Sequence, residues 1–395
     1  MNGTLMICGG GLTASQDEVF SEFIERAGGA EKARIAFIVT ASGEAPDELF
    51  RSYRSDMVRL GLPEEKCILV PIYAMHILDE RGYNAMTGDA EGLCESLDGV
   101  SGVWFSGGDQ YYTHQCLLRS NGSDTALLTR IREIYENGGV IGGSSAGAAI
   151  MSRVMIGGGN NRGILAHPVV FGYDGYDEMC AKDDPCDPMI LARGLGFFQE
   201  GIVDQHFNRR PRLLRLVEAC LRNNEGYRVG YAVSEDTALV YQNGRITVLG
   251  SAGVYVVDCN KAERRAAGNY RGAVLYALHR GDRFDCASLE AELAKAAPQQ
   301  DGEPSQDYVL GGMINDHGFD DMMEKRLIRA NESAMPKNAD GFPCVRGAAL
   351  HDIHGEVWLV IPEYVRFANT RGYRSEHASF SKVGLNIHAE KRSFE

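Results

Sequence analysis

Gly143-Ser144-Ser145-Ala146-Gly147 is the stretch of this sequence where residue type and spacing speak most directly of chemistry. It fits G-x-S-x-G, in which a serine at a sharp strand-to-helix turn is presented as a nucleophile. The flanking glycines let neighbouring backbone pass close, and the amide of Ala146 at the helix start can stabilise an oxyanion. Ser145 takes the nucleophile position, while Ser144, the rival hydroxyl, falls on an x position. A serine nucleophile needs a base. Among ten histidines, His206 stands out, in Val203-Asp204-Gln205-His206-Phe207 at the end of an apolar run. An acid should orient the imidazole. Glu235 and Asp236 lie side by side after the run 229–233, and spacing leaves the choice between them open.

The residues after His206 carry a second signal. Arg209, Arg210, Arg212 and Arg215 surround Pro211, which suits the first position of a helix. Leu213, Leu214, Leu216, Val217, Cys220 and Leu221 would form its buried face, with Arg212 and Arg215 three apart on the opposite face. Cations at a helix N-terminus oppose its dipole by roughly 0.3–1 kcal/mol each. The cluster makes sense as a carboxylate-binding pocket within a turn of the base, against the plainer reading of a solvated face with local acid partners. His351-Asp352-Ile353-His354 reads as a surface loop rather than half a metal site, because no other ligand cluster accompanies it. Gly9-Gly10-Gly11 hints at phosphate binding, but the G-x-G-x-x-G register fails and no nucleotide follows. No metal and no other cofactor is expected.

The elements that must position these groups alternate. Strands are predicted over 4–8, 34–39, 67–72, 100–105 and 139–142, and helices over 17–26, 46–60 and 125–136. Strands followed by helices, with glycines at the strand C-termini, imply a mostly parallel, doubly covered α/β sheet. Ligands bind such sheets outside the carboxyl ends of the strands, so the glycine clusters at 9–11, 107–108 and 142–143 should converge on one edge. Residues 172–192 read as an acidic loop insert, 195–206 as a strand-like approach to His206, and 211–221 as the arginine-headed helix. A hairpin is predicted from 232–241 and 245–249 around Asn243-Gly244. A catalytic unit over 1–290, a Pro/Gly/Gln-rich linker over 291–307 and a C-terminal extension over 308–395 complete the division.

Composition agrees with an enzyme rather than a nucleic-acid binder. Lys and Arg number 40 against 54 Asp and Glu, a net charge of −14, where a nucleic-acid partner would call for a basic excess. Gly is 47 of 395 residues, well above the usual share of about 7%. No apolar run is long enough to cross a membrane, and the N-terminus lacks the basic start of a signal peptide. The ten cysteines are scattered. Cys8, Cys67 and Cys220 sit in apolar runs as reduced core residues, whereas Cys180 and Cys186 are placed to pair only if the protein were exported. A cytoplasmic homodimer is expected.

Gly9-Gly10-Gly11, Gly107-Gly108-Asp109-Gln110, residues 143–149 (GSSAGAA), 194–215 (GLGFFQEGIVDQHFNRRPRLLR), 235–239 (EDTAL) and 248–257 together resemble the cyanophycinases. These are serine peptidases related to aspartyl dipeptidases and, in fold, to class I glutamine amidotransferases. The resemblance spans roughly residues 1–280. It implies a flavodoxin-like α/β sheet and a triad of Ser145, His206 and Glu235, the family's use of Glu selecting between the two acids. It implies an oxyanion hole from the amides of Ala146 and of the 107–109 loop, taken as Gly108. Gln110, Asp204, Gln205, Arg210, Arg212 and Arg215 match family pocket positions. The implied reaction is hydrolysis of cyanophycin, a poly-aspartate backbone bearing arginine on each β-carboxyl, to β-Asp-Arg dipeptides. The arginine cluster would hold aspartate carboxylates, and acidic groups of the 174–187 insert would meet substrate guanidinium groups. The alternative is an aspartyl dipeptidase or another α/β serine hydrolase acting on small acidic peptides. Three features depart from the family: Ser144 where threonine is usual, the long acidic insert, and the segment after about 290.

Overall fold

A computed structural model describes residues 3–43, 46–74, 83–176, 187–210 and 212–294, and the strand backbones of 309–311, 344–348, 353–360, 367–371 and 376–391. The chain opens with five strands: β1 (Thr4–Cys8), β2 (Ile35–Ile38), β3 (Cys67–Leu69), β4 (Gly102–Phe105) and β5 (Val140–Ser144). They pair in parallel in the order β1-β5-β4-β2-β3. Leu5, Met6, Ile7 and Cys8 are all fully buried, because helices cover both faces. Alternate residues pack into different cores: Leu5 and Ile7 join the 126–136 helix through Leu128 and Ile131, while Met6 and Cys8 join the Gln16–Arg26 helix through Phe20 and Phe23. Trp104 fills the latter core, edge-on to Phe20 and Phe23 at 5.1 Å. Gly142 is required there, since a Cβ would lie 2.7 Å from both Phe23 and Trp104.

After β5 the chain leaves this sheet. A small three-stranded sheet holds β6 (Val154–Gly158), β7 (Val170–Phe171) and β8 (Ile190–Arg193). The predicted insert loop therefore ends in strand β8, and its residues 177–186, with Cys180 and Cys186, lie outside the described residues. Next, β9 (Ile202–Asp204) and β10 (Val229–Val233) pair in parallel in a second large sheet. The single strand predicted over 232–241 is broken at Ser234, Glu235 and Asp236. Beyond the break, β11 (Thr237–Gln242) and β12 (Arg245–Gly250) return to the first sheet, β11 antiparallel to β1. The Asn243-Gly244 turn sits between them as predicted, with both residues at positive φ.

The rest of the chain extends both sheets. β13 (Val254–Asp258), β14 (Glu263–Ala266) and β15 (Asn269–Leu278) build the second sheet; β16 (Arg283–Asp285) and β17 (Glu290–Glu292) add to the first. The first sheet thus continues into the start of the predicted linker. β18 (Val309–Gly311), β19 (Cys344–Ala348), β20 (Ile353–Val360), β21 (Phe367–Arg371) and β22 (Glu376–Lys391) lie in the second sheet. β22 pairs antiparallel with β15, and its Leu385 and Ile387 are buried in the second sheet's core. His354 falls on β20, not a loop, and His351 lies outside the described residues. Among the described residues no group of three or more His, Cys, Asp or Glu is gathered to hold a metal, and no helix is long and apolar enough to cross a membrane.

Candidate active site

The G-x-S-x-G stretch forms a tight corner between β5 and the short helix Ala146–Ala149. Ser145 sits at φ 57°, ψ −109°, a conformation side chains rarely adopt. Close packing explains both flanking glycines. A Cβ on Gly143 would lie 2.5 Å from the Gly147 carbonyl oxygen, and one on Gly147 would lie 2.4 Å from that of Phe105. The corner leaves the Ser145 hydroxyl 2.7 Å from His206 Nε2. Ser144, paired with Cys8 across the sheet, is buried.

His206 follows β9 and also has positive φ, 49°. Its N–H donates to the Gly9 carbonyl at 2.7 Å. Its ring lies against Gly10, where a Cβ would sit 2.3 Å from Cε1. Nδ1 is 2.6 Å from Glu235 Oε1. An ionised carboxylate there holds the proton on Nδ1, so Nε2 is left to accept from Ser145. Burial pushes the imidazole pKa below its ordinary value; the Glu235 hydrogen bond works against that shift, and the Arg210 and Arg212 charges add to it.

The break between β10 and β11 brings Glu235 to the imidazole. Its N–H donates to Asn208 Oδ1 at 2.8 Å, and a Cβ on Gly11 would lie 2.7 Å from its Oε2. Asp236 turns the other way. It accepts from Thr13 N–H at 2.7 Å, Ser15 N–H at 3.0 Å, and the hydroxyls of Ser15 at 3.2 Å and Ser251 at 2.5 Å. The two acids that spacing left equivalent thus have different partners. The Gly9-Gly10-Gly11 cluster, set aside as a nucleotide motif, makes room for both His206 and Glu235. Asn208 is the site neighbour that sequence reasoning missed, its place two residues after His206 being the available signal, whereas Asp236, weighed there as the orienting acid, holds the start of the Gln16–Arg26 helix instead.

The 107–109 loop lies across from the corner, Gly107 close enough that a Cβ would touch that of Ser145 at 3.4 Å. Gly108 has φ 130° and Ala146 begins the short helix. Gln110 donates its side-chain amide to the carbonyls of Gly157 at 2.7 Å and Ile156 at 3.3 Å.

The arginines divide in a way that helix periodicity did not predict. The helix runs Leu213–Arg222 with Arg212 at its N-cap, so Leu213 and not 211 is its first residue; Pro211 lies outside the described residues. Arg212 and Arg215 were expected on the face opposite the buried one, yet both are buried. Arg215 grips Asp204 with two hydrogen bonds, at 2.8 and 2.5 Å, and donates to the Gly159 carbonyl at 2.6 Å. Arg212 lies 3.5 Å from the same carboxylate and donates to the Gln205 carbonyl. Asp204, on the neighbouring strand β9, is what makes burial of these two cations tolerable. Arg209 and Arg210 remain exposed, with Arg209 3.6 Å from Glu235. Gln205 is buried beside them, and its Oε1 has no hydrogen-bond partner among the described residues.

Fold and site define the class: an α/β protein with a serine–histidine–carboxylate chain of hydrogen bonds at the carboxyl edge of its parallel strands. The comparisons go further. Residues 84–249 match the sequence profile of Peptidase family S51. A cyanophycinase from Geminocystis herdmanii is 31% identical over 281 residues, covering 68% of this chain and 88% of that protein. One from Synechococcus elongatus is 30% identical over 244 residues, covering 61% of this chain. The match spans 63% of that relative's length. A peptidase structure from an acI-B1 Actinobacterium is 20% identical over 72% of this chain and 97% of that one, with a TM-score of 0.47. The chain belongs to peptidase family S51.

Proposed function

We propose that this protein is a serine exopeptidase that cleaves the backbone of cyanophycin to β-Asp-Arg dipeptides, with Ser145, His206 and Glu235 as its triad. The observation that carries the reading is the unbroken relay of 2.7 Å from Ser145 Oγ to His206 Nε2 and 2.6 Å from Nδ1 to Glu235. Ser145 Oγ attacks the scissile carbonyl carbon as His206 Nε2 takes its proton. Glu235 steadies the resulting imidazolium. The amides of Ala146 and Gly108 receive the oxyanion. Collapse of the tetrahedral species breaks the C–N bond, and His206 returns its proton to the leaving amine. Water, deprotonated by the same imidazole, then releases the acyl group.

Arg210, together with the Arg212–Arg215–Asp204 cluster and the open acceptor on Gln205, supports recognition of a small zwitterionic unit carrying aspartate carboxylates. Gln110 belongs to the same proposed pocket. The proposal extends to a cytoplasmic homodimer, which light scattering and cell fractionation would test. Incubation with insoluble cyanophycin, followed by mass analysis of products, is the decisive experiment. Release of β-Asp-Arg is expected. Ser145→Ala should lower turnover by roughly 10⁶, and retained turnover would sink the triad. Free aspartate released from Asp-X dipeptides, with cyanophycin untouched, would favour the aspartyl dipeptidase alternative.

A further inference from the structure

The 107–109 loop is gripped from two sides. On one side, Asp109 N–H donates to the Ala41 carbonyl at 2.8 Å. Gly108 packs so tightly there that a Cβ would lie 1.7 Å from the same oxygen. On the other side, the Tyr176 hydroxyl donates to Asp109 Oδ2 at 2.7 Å, while Asp109 Oδ1 accepts from Tyr111 N–H at 2.9 Å. Tyr176 reaches Asp109 across 67 residues of sequence, from the segment that follows β7. Aromatic packing fixes its approach. Its ring lies 4.3 Å from that of Tyr111 and 5.1 Å from that of Tyr173, which is itself 4.9 Å from Tyr111. Tyr173 in turn abuts Gly157, where a Cβ would lie 2.6 Å from its hydroxyl oxygen. That is the glycine whose carbonyl accepts from Gln110.

We infer that Tyr176 is a positioning residue: through Asp109 it holds the 107–109 loop so that the Gly108 amide meets the oxyanion formed at Ser145. The inference rests on the serine-peptidase reading above and adds to it a residue from the insert. Hydroxyl-to-carboxylate hydrogen bonds are among the stronger ones a side chain makes. An oxyanion donor acts by being in place before charge develops, and misplacement by about 1 Å can cost on the order of 10²-fold. A loop of two glycines has little stiffness of its own, so its placement depends on such outside anchors.

Tyr176→Phe removes the hydroxyl and keeps the ring packed against Tyr111 and Tyr173. A fluorophosphonate probe reads the consequence without reference to substrate, because it phosphonylates the serine and places its oxygen in the oxyanion site. The rate of Ser145 labelling, followed by intact mass, should fall about tenfold in Tyr176→Phe. On cyanophycin, kcat should fall similarly with KM within about twofold of the parent. Asp109→Ala removes the acceptor to which Tyr176 donates. In that background the Tyr176→Phe effect should largely vanish, since the two residues act as one unit. An unchanged labelling rate in Tyr176→Phe, an equal loss in both backgrounds, or a rise in KM alone would overturn the inference. Absence of labelling in the parent protein would overturn the serine reading itself, and the latch with it, which is a separate result from a labelled parent and an unaffected variant.

Discussion

In the proposed mechanism the chemistry turns on His206, and its surroundings set a pH dependence. Burial and the charges of Arg210 and Arg212 hold its pKa below the ordinary imidazole value. The base is active when neutral, so the acid limb of the labelling rate at Ser145 should fall below that ordinary value. Removing Arg210 takes away a like charge and raises the pKa. Arg210→Gln should therefore move the acid limb to higher pH. Labelling profiles measured from pH 4 to 8 would check the sign (roughly the range over which histidine titrates), and a downward shift would contradict the charge argument. At this scale much was readable from residue types alone. The pattern around Ser145 is local, because the two close approaches that demand Gly143 and Gly147 are made within one turn of chain and its neighbouring strand. The roles of Arg212 and Arg215 were not readable. Their i, i+3 spacing describes a face, but what covers that face is Asp204, supplied by another strand.

The break between β10 and β11 is the element that sorts the two adjacent acids. β10 lies in one large sheet and β11 in the other, so the residues between must turn sharply, Asp236 at φ 55°. Glu235 is thereby directed to His206 and Asp236 to the start of the Gln16–Arg26 helix. Exchanging them should give opposite phenotypes. Glu235→Gln should lower kcat by roughly 10⁴ with little change in melting temperature, as loss of an orienting carboxylate does elsewhere. Asp236→Ala leaves two backbone amides and two hydroxyls without their acceptor, and should destabilise by about 3 kcal/mol. Denaturant titration beside steady-state kinetics separates the two; a stable, inactive Asp236→Ala would reverse the assignment. The five parallel strands were legible because strands buried on both faces read as continuous apolar runs. The break was not, because the run from 229 to 241 is apolar on either side and nothing local says that two sheets share it.

At the scale of the whole molecule, the second sheet ties the middle of the chain to its C-terminal part. β9, which leads to His206, and β22, near the C-terminus, lie in one sheet. β22 covers the edge of β15 and buries Leu385 and Ile387. Ending the chain at residue 294 would strip both side chains from the core, a loss of about 3–6 kcal/mol at the usual value for full burial of a large aliphatic group. It would also leave β15 as an unprotected edge. The truncated protein should melt earlier and aggregate, which thermal denaturation and light scattering would show. An unchanged melting temperature would make the extension an accessory to the fold.

What residue order alone carries is the parallel α/β core and the proposed serine and histidine of the triad. Both depend on short-range rules: burial on two faces, a turn that admits only glycine, a base at a strand end. Which acid faces the imidazole, which arginines are enclosed, and how Tyr176 reaches Asp109 depend on contacts between segments far apart in the chain. Such contacts leave no periodicity in the intervening residues, so they appear only once the two sheets are assembled.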